Sequence, residues 1–240
     1  MAKKMRIDKL LSNVGCGSRA ELKKYCKQGI IKVNGNIVSN PGIQVDPDKD
    51  EVIFDGELVN YREFVYIMLN KPDGYISATY DKHDPIVLDL IDASYMAFEP
   101  FPVGRLDKDT EGLLVLTNDG QLAHRVLSPK KHVPKTYYAK IEGVVTEEDI
   151  LAFEKGVTLD DGYETMPSQL KILKSDNISE IELIIHEGKF HQVKRMFESV
   201  DKKVVYLKRL SMGQLKLDDT LALGEYRELT EKEIKLMEER

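Results

Sequence analysis

The chain has 240 residues, 42 % hydrophobic and 32 % charged, with a net charge of −6. That is apolar enough for one large domain or two unequal ones and argues against disorder. No apolar run approaches the ~18 residues of a spanning helix, and MAKKMRIDKL at the start lacks the apolar stretch of a secretory signal, so neither a membrane anchor nor export is expected. Cys16 and Cys26 are too few for a disulfide framework and too far apart for a C-x-x-C pair; they read as free thiols of a cytoplasmic protein. The charge is uneven. Residues 1–40 hold nine Lys/Arg against two acids, a balance of +7, which leaves −13 for the remainder. Such asymmetry fits a basic binding module or a solvated lysine-rich face, and charge alone leaves both open.

In chain order, Ile7, Leu10, Leu11 and Val14 form one stripe of a short helix ending near Gly15. Ser18 and Glu21 make a capping box for a second helix that stops at Gly29. IIKVNGNIV predicts a hairpin turning at Asn34-Gly35, and EVIFDG a further strand. Residues 5–56 thus read as two helices followed by a small sheet, with a domain boundary near residue 60 (1–60 and 61–240). Beyond it, strands are predicted at 64–70, 113–117, 135–143 and 180–188. A helix is predicted at 146–156 between Thr146 and Gly156, and another in KFHQVKRMFESV with Val193, Met196, Phe197 and Val200 as its core stripe and Lys194 and Arg195 off it. The pattern is α+β, with too many strand-turn-strand links for a regular parallel sheet.

GRLDKDTEGLLVLTNDG (104–120) crowds Asp107, Asp109 and Glu111 ahead of a buried strand. DKDTEG matches the first half of a calcium loop, but Asn118 stands where the bidentate glutamate is required, and a strand follows instead of a helix. There is no phosphate-binding G-x-x-x-x-G-K-[ST] and no H-E-x-x-H, and the five histidines lack metal-ligand spacing, so no metal site is expected.

VGRLDKDTEGLLVLTNDG, LNKPDGY, KTYYAKIEG and EGKFHQVKRMF, in that order, resemble the RsuA-type ribosomal small-subunit pseudouridine synthases. Residues 5–56 resemble the S4 RNA-binding domain that this family carries in front. The resemblance implies a small S4-like domain followed by a catalytic domain on a mixed, largely antiparallel sheet. It implies a monomeric cytoplasmic enzyme without a cofactor that isomerises one uridine of 16S ribosomal RNA, the uridine-516-type site. Carried over residue by residue, Asp107 is the catalytic aspartate, Tyr137 the tyrosine against the target uracil, and Lys194 the basic partner of the aspartate. Arg105 enters the RNA as the nucleotide leaves the stack, and Leu106, His191, Gln192 and Arg195 join it in binding substrate. Asp109 and Glu111 are expected to shape the turn. Phosphate contacts are assigned to Arg6, Lys9, Arg19, Lys23, Lys24 and Lys27, with further ones around 128–132 and at Lys202-Lys203. The competing readings are a large-subunit (23S) enzyme of the same superfamily and a non-catalytic S4-containing RNA-binding factor.

Overall fold

The computed structural model describes residues 4–59 and 61–239. By their contacts the residues separate into two units, one running up to Val65 and including Asp92–Pro100, the other formed by Tyr66–Ile91 and the chain from Phe101 on.

In the first unit the apolar stripe folds as expected into α1 (Ile7–Asn13), with Ile7, Leu10 and Leu11 fully buried. The helix α2 (Arg19–Gln28) starts at Ser18, whose backbone N–H and hydroxyl both donate to the Glu21 carboxylate, and ends at Gly29 in the left-handed region (φ 74°). The hairpin β1 (Ile31–Val33) and β2 (Asn36–Ile37) turns through Asn34 and Gly35, both at positive φ. With β3 (Val52–Phe54) and β4 (Glu57–Leu58) it makes an antiparallel sheet in the order β2-β1-β3-β4. Residues 92–100 pack here although they lie far along the sequence: the Arg62 guanidinium sits 5.8 Å from the Tyr95 ring and 5.4 Å from the Phe98 ring.

The second unit is built on β5 (Tyr66–Lys71), β6 (Glu111–Thr117), β7 (Lys135–Glu142), β8 (Gln169–Lys174), β9 (Ile178–Ile185), β10 (Lys203–Met212) and β11 (Tyr226–Glu228). They lie in the order β8-β9-β7-β10-β6-β5-β11, with two short strands, Phe101–Pro102 and Leu215–Lys216, beside β6 and β10. Every pairing is antiparallel except β10 with β6, which is parallel and short, joining Lys208 to Glu111 and Arg209 to Gly112. The sheet is therefore two antiparallel halves, β8-β9-β7-β10 and β6-β5-β11, joined along one parallel seam. The helices α3 (Gly120–Leu127) and α6 (Glu231–Leu236) belong with the core around Met68, Leu113, Val115 and Met212. On the other half, α4 (Glu147–Lys155) and α5 (Gln192–Glu198) meet where Phe153 and Phe197, both fully buried, pack edge to face 5.0 Å apart. Val193, Met196 and Phe197 are buried as their spacing predicts, whereas Val200 falls past the helix end.

The seam leaves no room for a side chain at Gly112. Gly112 has φ +100°, and a Cβ there would stand 2.3 Å from the Arg209 carbonyl oxygen. Gly112→Ala should therefore cost roughly 2–5 kcal/mol through backbone strain and overpacking, read as a lower denaturation midpoint at unchanged slope. A variant as stable as the parent would mean that the two halves are not held this closely.

Candidate active site

The loop that carries the three carboxylates runs from Gly104 into β6 and is held from several sides. The Ser77 hydroxyl donates to the Leu106 carbonyl (3.0 Å) and accepts from the Leu106 N–H (3.1 Å). Lys71, at the end of β5, is fully buried, and its ammonium donates to the carbonyls of Pro72, Lys108 and Thr110 at 3.0, 3.0 and 2.9 Å. Burial pushes the Lys71 pKa down to about 8, against the pull of Asp73, Asp109, Asp107 and Glu111. The Lys108 side chain reaches Asp84 at 2.6 Å, and the Tyr206 hydroxyl donates to Glu111 at 2.6 Å.

With its loop fixed, Asp107 faces a cleft of about 70 Å³ whose wall includes Arg105, Leu106, Tyr137, Lys189 and His191. Tyr137 comes from β7 and is 8 % exposed. His191, in the left-handed region, places Nε2 3.6 Å from one Asp107 oxygen and stacks on the exposed Phe190 ring at 3.7 Å. Lys194 projects from α5, away from the buried stripe. Its ammonium lies 3.4 Å from Asp107 but makes shorter contacts, 2.7 and 2.8 Å, with both oxygens of Asp109. Burial disfavours both charges of the Lys194–Asp109 contact, yet the pairing outweighs it, holding the amine above and the carboxyl below their ordinary ranges.

The structure thus brings Asp107, Tyr137, Lys194, Arg105, Leu106 and His191 together, and it revises four expectations. Asp109 is more than a turn residue, because it is the nearer partner of Lys194. Gln192 is 4 % exposed and lines the cleft wall, but its amide is spent internally, donating to Glu187 (2.7 Å) and accepting from the Lys189 N–H (2.9 Å). Arg195 does not reach the cleft: its guanidinium is held by Asp160 and Asp161. Lys202 is not free for phosphate, since it donates to the buried Asp149 at 2.8 Å and so braces the start of α4, where Asp149 also accepts the Thr146 N–H. In the first unit Lys9, Arg19, Lys23, Lys24 and Lys27 are exposed, with Arg19, Lys23 and Lys27 spaced along one face of α2, while Arg6 makes a two-point contact with Asp8 (3.0 and 2.6 Å). Lys71 stands in LNKPDGY, but its role as a clamp is not legible there, because two of its three acceptors lie 37 and 39 positions further along the chain.

The sequence model of a family described as RNA pseudouridylate synthase matches residues 65–199, and that of the S4 domain matches residues 5–52. A Bacillus subtilis protein named uncharacterized RNA pseudouridine synthase YtzG is 54 % identical over 98 % of this chain and 99 % of its own length. The ribosomal small subunit pseudouridine synthase A of Haemophilus influenzae is 41 % identical over 96 % of this chain and 98 % of its own. The ribosomal large subunit pseudouridine synthase B of Bacillus subtilis is 39 % identical over 96 % of this chain and 94 % of its own.

Two substitutions probe the geometry. Lys71→Met keeps the bulk of the side chain but takes a donor from three carbonyls, of which that of Lys108 still accepts from the Gly74 N–H; it should cost roughly 2 kcal/mol or more in stability, with a loss of turnover that remains at temperatures where the variant is folded. Asp109→Asn leaves Lys194 without its short ion pair. The ammonium beside Asp107 is then less well placed, and single-turnover rates should fall roughly 10- to 100-fold with little change in melting temperature. An Asp109→Asn enzyme of parental rate would make that carboxylate a surface ornament.

Proposed function

Because this chain belongs to the RNA pseudouridylate synthase family and carries an S4 domain in front, we propose that it isomerises one uridine of small-subunit (16S) ribosomal RNA, with Asp107 as the carboxylate that acts on the ribose. The observation that carries the assignment of Asp107 is its position: of the three carboxylates in the loop it is the one that lines the cleft, opposite Tyr137, while Asp109 is engaged by Lys194 and Glu111 by Tyr206. The choice of RNA rests on the small-subunit enzyme among its relatives, 41 % identical against 39 % for the large-subunit one.

The reaction breaks N1–C1′, turns the uracil and joins C5 to C1′; C5 gives up its proton and N1 gains one, with no net oxidation. Positive charge develops on the sugar as the bond breaks, and one carboxylate can attack C1′, stabilise that charge, or take the 2′ proton. Each route needs an ionised aspartate sheltered from water, since hydrolysis would end in an abasic site. Lys194 sets a positive charge 3.4 Å from the Asp107 carboxylate, and a base entering the cleft would displace the water there. The target must leave its stack to reach Asp107, and the ring of Tyr137 offers the base a surface. Arg105 is exposed and makes no ion pair among the described residues, so it is available to occupy the space the nucleotide vacates.

Carbodiimide treatment and reverse transcription of both ribosomal RNAs test this in cells with and without the gene. One stop in the small-subunit RNA should disappear on deletion and return with the parental gene but not with Asp107→Asn. A lost stop in the large-subunit RNA would move the substrate to 23S. Restoration by Asp107→Asn would move the chemistry to another residue.

A further inference from the structure

Beside the cleft opens a second cavity of about 380 Å³. Both are lined by Arg105, Tyr137, Gly188 and Lys189, so Tyr137 stands at their common edge. Two further side chains line the larger cavity. Lys135 precedes Tyr137 by two residues on β7, and Arg209 on β10 is paired with Tyr137 across the sheet, so all three lie on one face.

The charge in this cavity is unbalanced. Arg209 is 2 % exposed; its Nε donates to the Leu113 carbonyl at 2.8 Å, while its Nη2 is buried with no hydrogen-bond partner among the described residues. The Lys135 ammonium donates to the Val133 carbonyl at 3.0 Å. Burial, and then the charge of Arg209, push the Lys135 pKa down to about 8, with Glu187 acting the other way. Glu187 brings one negative charge to the wall, fewer than the cations around it, and its oxygens are taken by neutral donors, the Tyr163 hydroxyl (2.6 Å), the Met166 N–H (3.0 Å) and Gln192 (2.7 Å). The other basic groups of the wall are Lys189, Arg105, His132 and His186, and its remaining titratable groups are the hydroxyls of Tyr137 and Tyr163. Burying like charges together is unfavourable unless an anion joins them, and a guanidinium with a spare donor beside an ammonium suits a phosphate oxygen.

We infer that this cavity receives a backbone phosphate of the RNA next to the target uridine, held by Lys135 and, once the guanidinium turns toward the cavity, by Nη2 of Arg209, while the uridine itself occupies the cleft on the other side of Tyr137. The inference rests on an RNA substrate and adds a subsite to it. Such a contact reads the chain and not the base. It anchors the flipped nucleotide at its backbone and makes a free nucleoside a poor ligand.

The test uses the full chain labelled with ε-¹³C-lysine, the Lys135 resonance being the one missing from Lys135→Met. Its titration is followed alone, with uridine, with uridine 3′,5′-bisphosphate, and with inorganic phosphate. Saturating bisphosphate should raise the Lys135 midpoint by about one unit or more, uridine should leave it in place, and Lys135→Met should weaken bisphosphate binding about tenfold while Lys135→Arg retains it. A Lys135 midpoint that bisphosphate does not move overturns the inference. So does inorganic phosphate binding as tightly as the bisphosphate, which would mark a general anion site. Filter binding to transcribed small-subunit RNA, run in parallel, separates the two levels. RNA binding with a silent Lys135 removes the subsite alone, and no RNA binding removes the substrate on which it rests.

Discussion

Three carbonyl oxygens converge on the ammonium of Lys71, and the geometry of the cleft follows from that convergence. A lysine without solvent must find acceptors for all its donors, and here two of the three acceptors belong to the loop that presents Asp107. The same residue ends a strand whose backbone pairs with Gly112, so one side chain and one register fix the loop at its base. Burying a cation costs several kcal/mol, which the local carboxylates partly offset. The crowded negative charge of LDKDTE is thus part of what allows a buried cation to hold the loop in place.

On this base the three acids divide their roles. Glu111 is tied to Tyr206 on the neighbouring strand, and Asp109 to Lys194 on α5. Asp107 remains, 3.4 Å from that same ammonium, which Asp109 holds more closely. That arrangement differs from a simple ion pair. A carboxylate fully engaged by its own lysine would be a weaker reactant, whereas a shared lysine supplies field without consuming the lone pairs.

Local signals in the sequence were strongest where structure is local. The capping box at Ser18, the Asn34-Gly35 turn and the stripe Val193, Met196, Phe197 each depend on residues within a few positions of one another, and each appears as its pattern implies. The strand Lys203–Met212 gave no such signal, although it lies at the centre of the sheet, because Lys208 and Arg209 break its apolar run and Arg209 is nonetheless buried. Asp107, Tyr137 and Lys194 were legible only through resemblance. Their neighbourhood is set by contacts between residues 85 positions apart, such as Lys194 with Asp109, and no local periodicity encodes these. The opposite placements of Lys194 and Arg195 were within reach, since adjacent helical residues point about 100° apart.

The parallel seam between β6 and β10 has a consequence for synthesis. The chain from which Asp107 and Lys194 project is complete before Lys203 leaves the ribosome, yet the half-sheet containing Tyr137 is joined to the half-sheet of β6 only through the strand that follows. Until then β7 lacks its neighbour on one side and β6 is covered on that side only by Phe101–Pro102, leaving strand edges of the kind that recruit chaperones or other nascent chains. The closure is also a contact of large sequence separation, slow to form because a long loop must be ordered first. A nascent chain that stops short of Lys203 therefore lacks the strand that joins the half-sheet of Tyr137 to that of β6.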